Sequence, residues 1–148
     1  MILKANILSL KLISVAALAL GIMAAPALAS TATITLRNTN TGTPVAATIF
    51  NRTFQNTCAL TTPTPQATFN PGDVQTFTST CVTGTAGGLR YRTSTGKQCA
   101  FNWSSIPQLG GGYVFSATAT PSGGAICRSI FGSRNLSTGD MSQTFEMQ

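Results

Sequence analysis

Between residues 30 and 148 the sequence is a succession of short segments in which apolar and polar residues alternate. In ATITLR, for example, Ala32, Ile34 and Leu36 alternate with polar residues, which is the pattern of a strand with one buried face. Threonine, valine, isoleucine and phenylalanine are frequent, and glycine, proline and asparagine separate the segments. No apolar repeat of period 3.6 is sustained here. The pattern therefore predicts an all-β chain.

About eight such segments follow one another at intervals of roughly ten residues, which favours an antiparallel two-sheet β-sandwich, with a closed barrel as the alternative. We expect TGTAGG, residues 83–88, to interrupt the strands, and AICRSIF, residues 125–131, to place Cys127 and Phe131 inward. The other predicted strands are ATITLR (32–37), VAATIF (45–50), a short strand at 67–69, VQTFTSTCV (74–82), YVFSATAT (113–120) and MSQTFEMQ (141–148).

The stretch LRYRTSTGKQCAFNW, residues 89–103, predicts a β-hairpin of defined register. If residues 94–96 form a three-residue loop with Gly96 in the left-handed position, Thr93 faces Lys97 and the other pairs follow by counting outward. Apolar residues then share one face, and the arginines point away from the core. A two-residue loop would mix apolar and charged residues on each face, so the pattern selects the three-residue loop.

The chain contains four cysteines, Cys58, Cys81, Cys99 and Cys127. In an exported protein an even number of cysteines indicates disulfides, here two, although four cysteines allow three pairings. We favour Cys58 with Cys81 and Cys99 with Cys127, because these pairs close separate loops. A zinc site is disfavoured because no close C-x-x-C pair and no histidine is present.

Residues 1–29 have the organisation of a secretory signal peptide. Lys4 and Lys11 precede an apolar run at residues 12–23, and small residues at 27 and 29 suit a signal peptidase that cleaves before Ser30. The apolar run is shorter than the roughly 20 residues that span a bilayer, which argues against a membrane anchor. We therefore expect a single secreted domain, residues 30–148, that is extracellular or periplasmic and has no transmembrane segment.

That domain is basic, and its basic residues are mostly arginine. Six arginines and one lysine stand against three acids, a net charge of +4. Arginine suits carboxylate and phosphate partners because its planar fork presents paired donors. Arg90, Arg92 and Lys97 of the hairpin, with Arg128, are the candidate contacts to an anionic polysaccharide, lipid or acidic protein surface. The competing interpretation is a solubilising surface that protects a sheet edge.

Trp103 and Tyr113 flank a glycine-rich loop and are candidate aromatic contacts for a sugar ring. Trp103 shares its predicted face with Cys99 and Phe101, so the competing interpretation is that its ring belongs to the core. Nucleic acid is a poor candidate partner because the predicted domain is exported and its charge is modest.

The composition also argues against catalysis. The sequence contains no histidine, which excludes the usual serine and cysteine triads. Asp73 and Asp140 fall in predicted turns and Glu146 on the polar face of the last segment, so a catalytic carboxylate pair is not expected. No glycine-rich phosphate loop precedes a helix, and no cofactor is indicated. We therefore expect no enzymatic activity.

Three functions remain. The first is a secreted binding module for an anionic or glycan component of a cell surface. The second is a structural, adhesive or self-assembling protein whose end segments, TATITLR and TFEMQ, pair with strands of other chains. The third is an inhibitor of a secreted hydrolase, with TTPTPQ, residues 61–66, as the inhibitory loop.

Overall fold

A computed structural model describes residues 29–40, 47–54 and 62–148. These residues form nine β-strands and no helix, so the all-β prediction is confirmed. The strands are β1 Ser30–Asn38, β2 Ala47–Phe54, β3 Thr68–Phe69, β4 Val74–Cys81, β5 Thr85–Thr93, β6 Gln98–Pro107, β7 Tyr113–Ser122, β8 Cys127–Arg134 and β9 Met141–Met147. The start of the strand predicted at residue 45 and the whole predicted signal peptide except residue 29 lie outside the described residues. The described part of the chain holds no helix long and apolar enough to cross a membrane.

The strands form two sheets. The four-stranded sheet has the order β4-β1-β9-β8, and the five-stranded sheet has the order β3-β2-β5-β6-β7. All neighbouring strands are antiparallel except β1 and β9, which pair in parallel at the centre of the four-stranded sheet.

One apolar core lies between the two sheets. Alternation in β1, β4 and β9 buries every second side chain, as in the sequence-based prediction. Aromatic rings from the two sheets meet across the core: the ring centres of Phe77 and Trp103 are 5.7 Å apart, and those of Phe101 and Phe145 are 5.1 Å apart. Rings at these separations add a favourable pair interaction to the area that they bury.

The β5–β6 hairpin has the register that the sequence predicts. Gly96 has a φ of 87°, and the backbone N–H of Thr93 donates to the carbonyl of Lys97 over 2.8 Å. Tyr91 then lies opposite Cys99, and Leu89 opposite Phe101. All four of these inward side chains are fully buried. The turn residues and the alternation of apolar and polar side chains therefore fix the register of this hairpin.

A disulfide connects Cys99 of β6 to Cys127 of the edge strand β8 and so links the two sheets. This predicted pairing is confirmed. Cys81 is buried and is not a free thiol, but its expected partner Cys58 lies outside the described residues. The pairing of Cys58 with Cys81 stays a prediction.

The interruption expected at residues 83–88 is wrong in its extent. Only Val82, Thr83 and Gly84 separate β4 from β5, which begins at Thr85. Gly87 and Gly88 are therefore strand residues. The reason is close packing: a Cβ on Gly87 would lie 2.4 Å from the Trp103 ring, so glycine makes room for a core side chain instead of forming a turn.

The inward placement expected for Phe131 is also wrong, because its ring is 71% exposed. Phe131 pairs with the buried Gln143, but β8 is the edge strand of its sheet and its ladder with β9 is irregular between Phe131 and Arg134. The guanidinium carbon of Arg134 lies 4.0 Å from the centre of the Phe131 ring. A cation–π contact therefore covers part of the ring.

The end segments are not free to pair with other chains as the structural hypothesis requires. TATITLR lies within β1, which has β4 on one side and β9 on the other. TFEMQ lies largely within β9, which is held between β1 and β8. Both strands already have their backbone groups in ladders with these neighbours, so neither offers a free sheet edge to another chain in this fold.

Candidate functional site

Arg90 and Arg92 project from the outer face of the five-stranded sheet. Both are exposed, whereas Leu89 and Tyr91, which alternate with them on β5, are fully buried. Residues two apart on one strand emerge about 7 Å from each other. The strand thus presents two guanidinium groups side by side, at the spacing that the hairpin register predicts.

The residues beside these arginines are small or uncharged. Arg90 lies opposite Ala100 on β6, which lies opposite Thr120 on β7, and Arg92 lies opposite Gln98, which lies opposite Ser122. We call this surface the basic face. It consists of the outward residues Arg90, Arg92, Gln98, Ala100, Thr120 and Ser122.

Hydrogen bonds hold one of the two arginines. The Nε of Arg92 donates to Oε1 of Gln98 over 3.3 Å, and Nε2 of Gln98 donates to the Ser122 hydroxyl over 2.9 Å. None of the described residues gives the Arg90 guanidinium a hydrogen bond or an ion pair. Beside Arg90 is a cavity of about 230 Å³, which Gln98, Thr120 and Ser122 also line. Arg92 is therefore oriented, while the donors of Arg90 remain available to a ligand.

Lys97 ends the turn that connects β5 to β6. Besides its backbone bond to Thr93, its own N–H donates to the Thr93 hydroxyl over 3.1 Å. The β7–β8 turn packs against this one, because a Cβ on Gly123 would lie 2.2 Å from the Gly96 carbonyl oxygen. Lys97 is thus carried on a supported turn next to Gln98, at one end of the basic face.

The three acids of the protein lie away from the basic face and have structural partners. Asp73 accepts a hydrogen bond from the Asn70 N–H in the β3–β4 turn, and Asp140 accepts one from the Thr31 N–H. Glu146 lies 3.8 Å from Arg37 on the four-stranded sheet, in the one ion pair found among the described residues. No described carboxylate therefore offsets the positive charge of Arg90 and Arg92 on their own surface.

Arg128 does not join this surface. It lies on β8 of the four-stranded sheet, opposite Glu146, which has Arg37 on its other side. The grouping of Arg128 with the hairpin residues in one site is therefore wrong. The sequence did not show which strand lies beside β8. In the structure, the outer faces of the two sheets are separate surfaces.

Trp103 is 2% exposed and packs between Phe77 and Phe145. A ring buried to this degree does not stack on a ligand, so the interpretation as a core residue is confirmed. Tyr113 is half-buried at the start of β7, where its ring would lie 2.4 Å from a Cβ on Gly139. Its ring supports the β8–β9 turn.

Hydrogen bonds connect the described part of the predicted inhibitory loop, residues 62–66, to neighbouring strands and side chains. Thr62 exchanges backbone hydrogen bonds with Thr78 of β4. Arg52 donates to the Pro65 carbonyl over 2.9 Å, and the Gln66 N–H donates to Gln75 over 2.8 Å. These hydrogen bonds anchor the described part of the loop, and inhibition of a hydrolase stays a prediction.

Metal chemistry finds no support in the described ranges, which contain no group of three histidine, cysteine or acidic side chains close enough to hold an ion. Sequence reasoning did not include Gln98 and Ser122 in the site. The hairpin register already placed Gln98 opposite Arg92, but the contribution of Ser122 depends on the β6–β7 pairing, for which the sequence carries no comparable turn signal.

Comparison with known proteins gives a fold but no family. No family model and no curated protein matches the chain. The structure of RahU, solved in complex with a Tris molecule, matches with a TM-score of 0.57 and 18% identity, over 83% of this chain and 96% of RahU. The chain shares the fold of RahU. At this identity the similarity carries no information on the ligand.

Two structures of the lectin XCL from Xerocomus chrysenteron also match, both at 11% identity and over 82% of this chain. The wild-type lectin has a TM-score of 0.45 and is covered over 100% of its length. A variant with three substitutions to methionine has a TM-score of 0.42 and is covered over 99%.

Proposed function

We propose that this protein is a secreted, non-enzymatic binding module that holds clustered anionic groups of a cell-surface glycan or lipid on its basic face. The observation that carries the proposal is the pair of arginines, Arg90 and Arg92, on a sheet face without a described carboxylate. Gln98 orients one guanidinium group, and the other has its donors available beside a cavity.

The chemistry of these groups suits an anionic ligand. A guanidinium group offers two parallel N–H donors to sulfate, phosphate or carboxylate, and such charge-assisted hydrogen bonds are about twice as strong as neutral ones. Two such groups about 7 Å apart match a ligand with successive anionic substituents. The neighbouring small residues, such as Ala100 and Thr120, leave the arginine donors accessible to an extended polymer.

The remaining parts of the proposal concern architecture and export. The two packed sheets form a β-sandwich, a scaffold on which turns and faces bind ligands while the core stays rigid. A disulfide is compatible with an oxidising compartment, and residues 1–29 supply the signal peptide. The intact mass of the protein recovered from the periplasm or the culture medium tests cleavage before Ser30.

The absence of enzymatic activity is part of the same proposal. The sequence has no histidine to exchange protons near neutral pH. Asp140 accepts hydrogen bonds from Thr31 and Thr138, and Glu146 lies beside Arg37. These carboxylates thus have structural contacts, which supports a role in holding strands and turns together.

Binding of the purified, oxidised protein to sulfated glycans, lipid A and vesicles of anionic phospholipid, each at low and high salt, tests the proposal. We expect salt-sensitive binding, because exposed charges are screened by ions. The variant Arg90→Ala, Arg92→Ala should bind about tenfold more weakly or worse, since each guanidinium hydrogen bond to an anion is lost. The three ligand classes distinguish a glycan from a lipid headgroup.

The matched control is Arg37→Ala, Arg128→Ala, which removes the same charge from the outer face of the four-stranded sheet. This variant should keep at least half of the affinity, roughly the effect of a surface change away from the ligand. Equal losses in the two double variants would mean that net charge alone drives binding, and the basic face would not be the site.

A further inference from the structure

A second cavity lies at the four-stranded sheet and has different chemistry. It is open to solvent and has a volume of about 400 Å³ where β1, the end of β8 and the start of β9 meet. This volume falls within the range of small-molecule sites, about 300–1,000 Å³. Its polar and charged side chains belong to Thr31, Thr33, Ser133, Arg134, Asn135, Asp140 and Ser142.

Hydroxyl groups cover one side of this cavity. Thr31 and Thr33 alternate with buried residues on β1, and Ser142 on β9 pairs with Thr33. Ser133 is held against Ser142 by two contacts: its N–H donates to the Ser142 hydroxyl over 2.8 Å, and the two hydroxyl oxygens are 2.9 Å apart. Each of these hydroxyls has both donor and acceptor capacity.

The turn between β8 and β9 adds a fixed acceptor. Asp140 receives the Thr31 N–H on Oδ1 over 2.8 Å and the Thr138 hydroxyl on Oδ2 over 2.7 Å. These two bonds set the position of the carboxylate at the cavity. Because each carboxylate oxygen has a second lone-pair site, the group can still accept a hydrogen bond from a ligand.

Asn135 supplies a fixed donor at the other end of the same turn. Its Oδ1 accepts from the N–H groups of Ser137 and Thr138, over 3.0 and 3.3 Å. The oxygen is thus occupied by the turn itself. Among the described residues no partner takes up the Nδ2 protons of Asn135, so both remain for a ligand.

A carboxylate acceptor and an amide donor held at one cavity fit a molecule with adjacent hydroxyl groups. Each hydroxyl of a sugar both donates and accepts, and the Thr33 hydroxyl matches it in both functions. An ion of either sign is disfavoured because the negative charge of Asp140 is balanced in the lining by Arg134, whose guanidinium carbon lies 4.0 Å from the centre of the Phe131 ring. A metal ion is disfavoured because the described residues contain no cluster of three acidic, cysteine or histidine side chains.

We infer that this cavity binds a neutral sugar, with Asp140 accepting from one hydroxyl and Asn135 donating to its neighbour. The site is independent of the basic face: it belongs to the other sheet and to an uncharged ligand. A protein with both sites holds a glycan at two points of different chemistry, one charged and one neutral.

The test is titration of the isotope-labelled, oxidised protein with a panel of neutral monosaccharides and disaccharides, followed by amide NMR. Sugar at about 50 mM is well above a dissociation constant of about 1 mM. We expect shifts of the amides of Thr33, Asn135 and Ser142 with at least one member of the panel. The absence of shifts at this cavity with every sugar, or shifts confined to another surface, overturns the inference.

Two variants probe the assigned roles without breaking the fold. Asn135→Asp keeps the oxygen that accepts the turn hydrogen bonds and removes the donor, and Thr33→Val removes one hydroxyl while keeping a β-branched shape. Each should weaken sugar binding about fivefold or more, the effect of one lost hydrogen bond. Thr118→Val, on the exposed face of β7, is the matched control and should bind as the parent does. An unchanged affinity in Asn135→Asp and Thr33→Val contradicts the site.

The outcome is separable from that of the proposed function. Arg90→Ala, Arg92→Ala should leave the sugar-induced shifts unchanged, and Thr33→Val should leave anion binding unchanged. Loss of sugar binding in the double arginine variant would place the sugar on the basic face and overturn the assignment to this cavity.

Discussion

At the scale of single residues, close packing explains an assignment that the sequence pattern misses. Gly87 and Gly88 look like turn residues in the sequence, yet neither has a positive φ. Gly87 lies under the Trp103 ring and Gly88 beside the Asn102 side chain. Sequence composition identifies glycine but not the partner that requires it, and here that partner is on the next strand.

Replacement of Gly87 by alanine should destabilise the protein by about 1–3 kcal/mol, because the new Cβ would overlap the buried indole ring. Gly88→Ala is the matched control. Its Cβ would lie 2.7 Å from Oδ1 of Asn102, the end of an exposed side chain that can rotate away. The free energy of unfolding of this control should stay within about 1 kcal/mol of that of the parent. Urea unfolding measures both, and equal costs would contradict the assigned role of Trp103.

Tyr91 gives the core a dependence on alkaline pH. Its hydroxyl donates to the Gln66 carbonyl and accepts from Nε2 of Gln75, both over 2.9 Å. Burial raises the pKa of Tyr91 above its ordinary value of 10.0, and this effect outweighs the opposing influences of Gln75 and Arg52. The folded state therefore keeps the proton at a pH where the unfolded chain has lost it.

The stability of the protein should therefore fall as the pH rises above 10.0. Below this pH Tyr91 is neutral in both states and does not make the free energy of unfolding depend on pH. Above it the unfolded chain binds fewer protons, and the contribution of Tyr91 is at most about 1.4 kcal/mol per pH unit. Urea unfolding at pH values on either side of 10.0 measures the slope. Tyr91→Phe should be less stable at neutral pH but show a shallower fall, and an unchanged slope would contradict this explanation.

At the scale of elements, local signals predicted strands well and strand partners poorly. The β5–β6 hairpin was predictable to the residue because its turn and its alternation are contiguous in sequence. The parallel pairing of β1 with β9 was not, because alternation shows which side of a strand is buried but not which strand lies beside it. For the same reason the sequence placed Arg90 and Arg92 correctly and grouped Arg128 with them wrongly.

The Cys99–Cys127 disulfide should matter because it connects strands of different sheets. It joins residues 28 apart, for which the loop-entropy account gives about 3.5 kcal/mol of stabilisation. The variant Cys99→Ala, Cys127→Ala should lose about this free energy of unfolding in urea, while Cys81 is unaltered. A loss below about 1 kcal/mol would mean that the disulfide barely restricts the unfolded chain.

The central position of β1 and β9 predicts their protection from exchange with solvent. Their backbone amides should exchange among the slowest, close to the rate set by global unfolding. The two-residue edge strand β3 should exchange much faster. Amide exchange followed by NMR measures both, and fast exchange throughout β9 would show that this strand leaves the sheet and is free to pair elsewhere.

At the scale of the whole molecule, charge is distributed unevenly between the two sheets. Arg37, Glu146 and Arg128 lie in register on the outer face of the four-stranded sheet, where the acid offsets the bases. The outer face of the five-stranded sheet has Arg90 and Arg92 without a described acid. The sequence showed an excess of arginine, but only the fold shows which arginines have an acid beside them and which do not. Net charge alone therefore says little about where a ligand binds.

The pairing of β1 with β9 also sets the order of events when the chain is made. The Thr31 N–H and the Asp140 carboxylate, which meet beside this ladder, are separated by 109 residues. A growing chain on the ribosome cannot close the four-stranded sheet until β9 has been synthesised, and contacts so distant in sequence form slowly. The four-stranded sheet thus remains incomplete through most of the synthesis of the described residues. A chain whose sheet is incomplete is more easily threaded through a narrow channel than a folded domain, so late completion of this sheet and the proposed export are compatible.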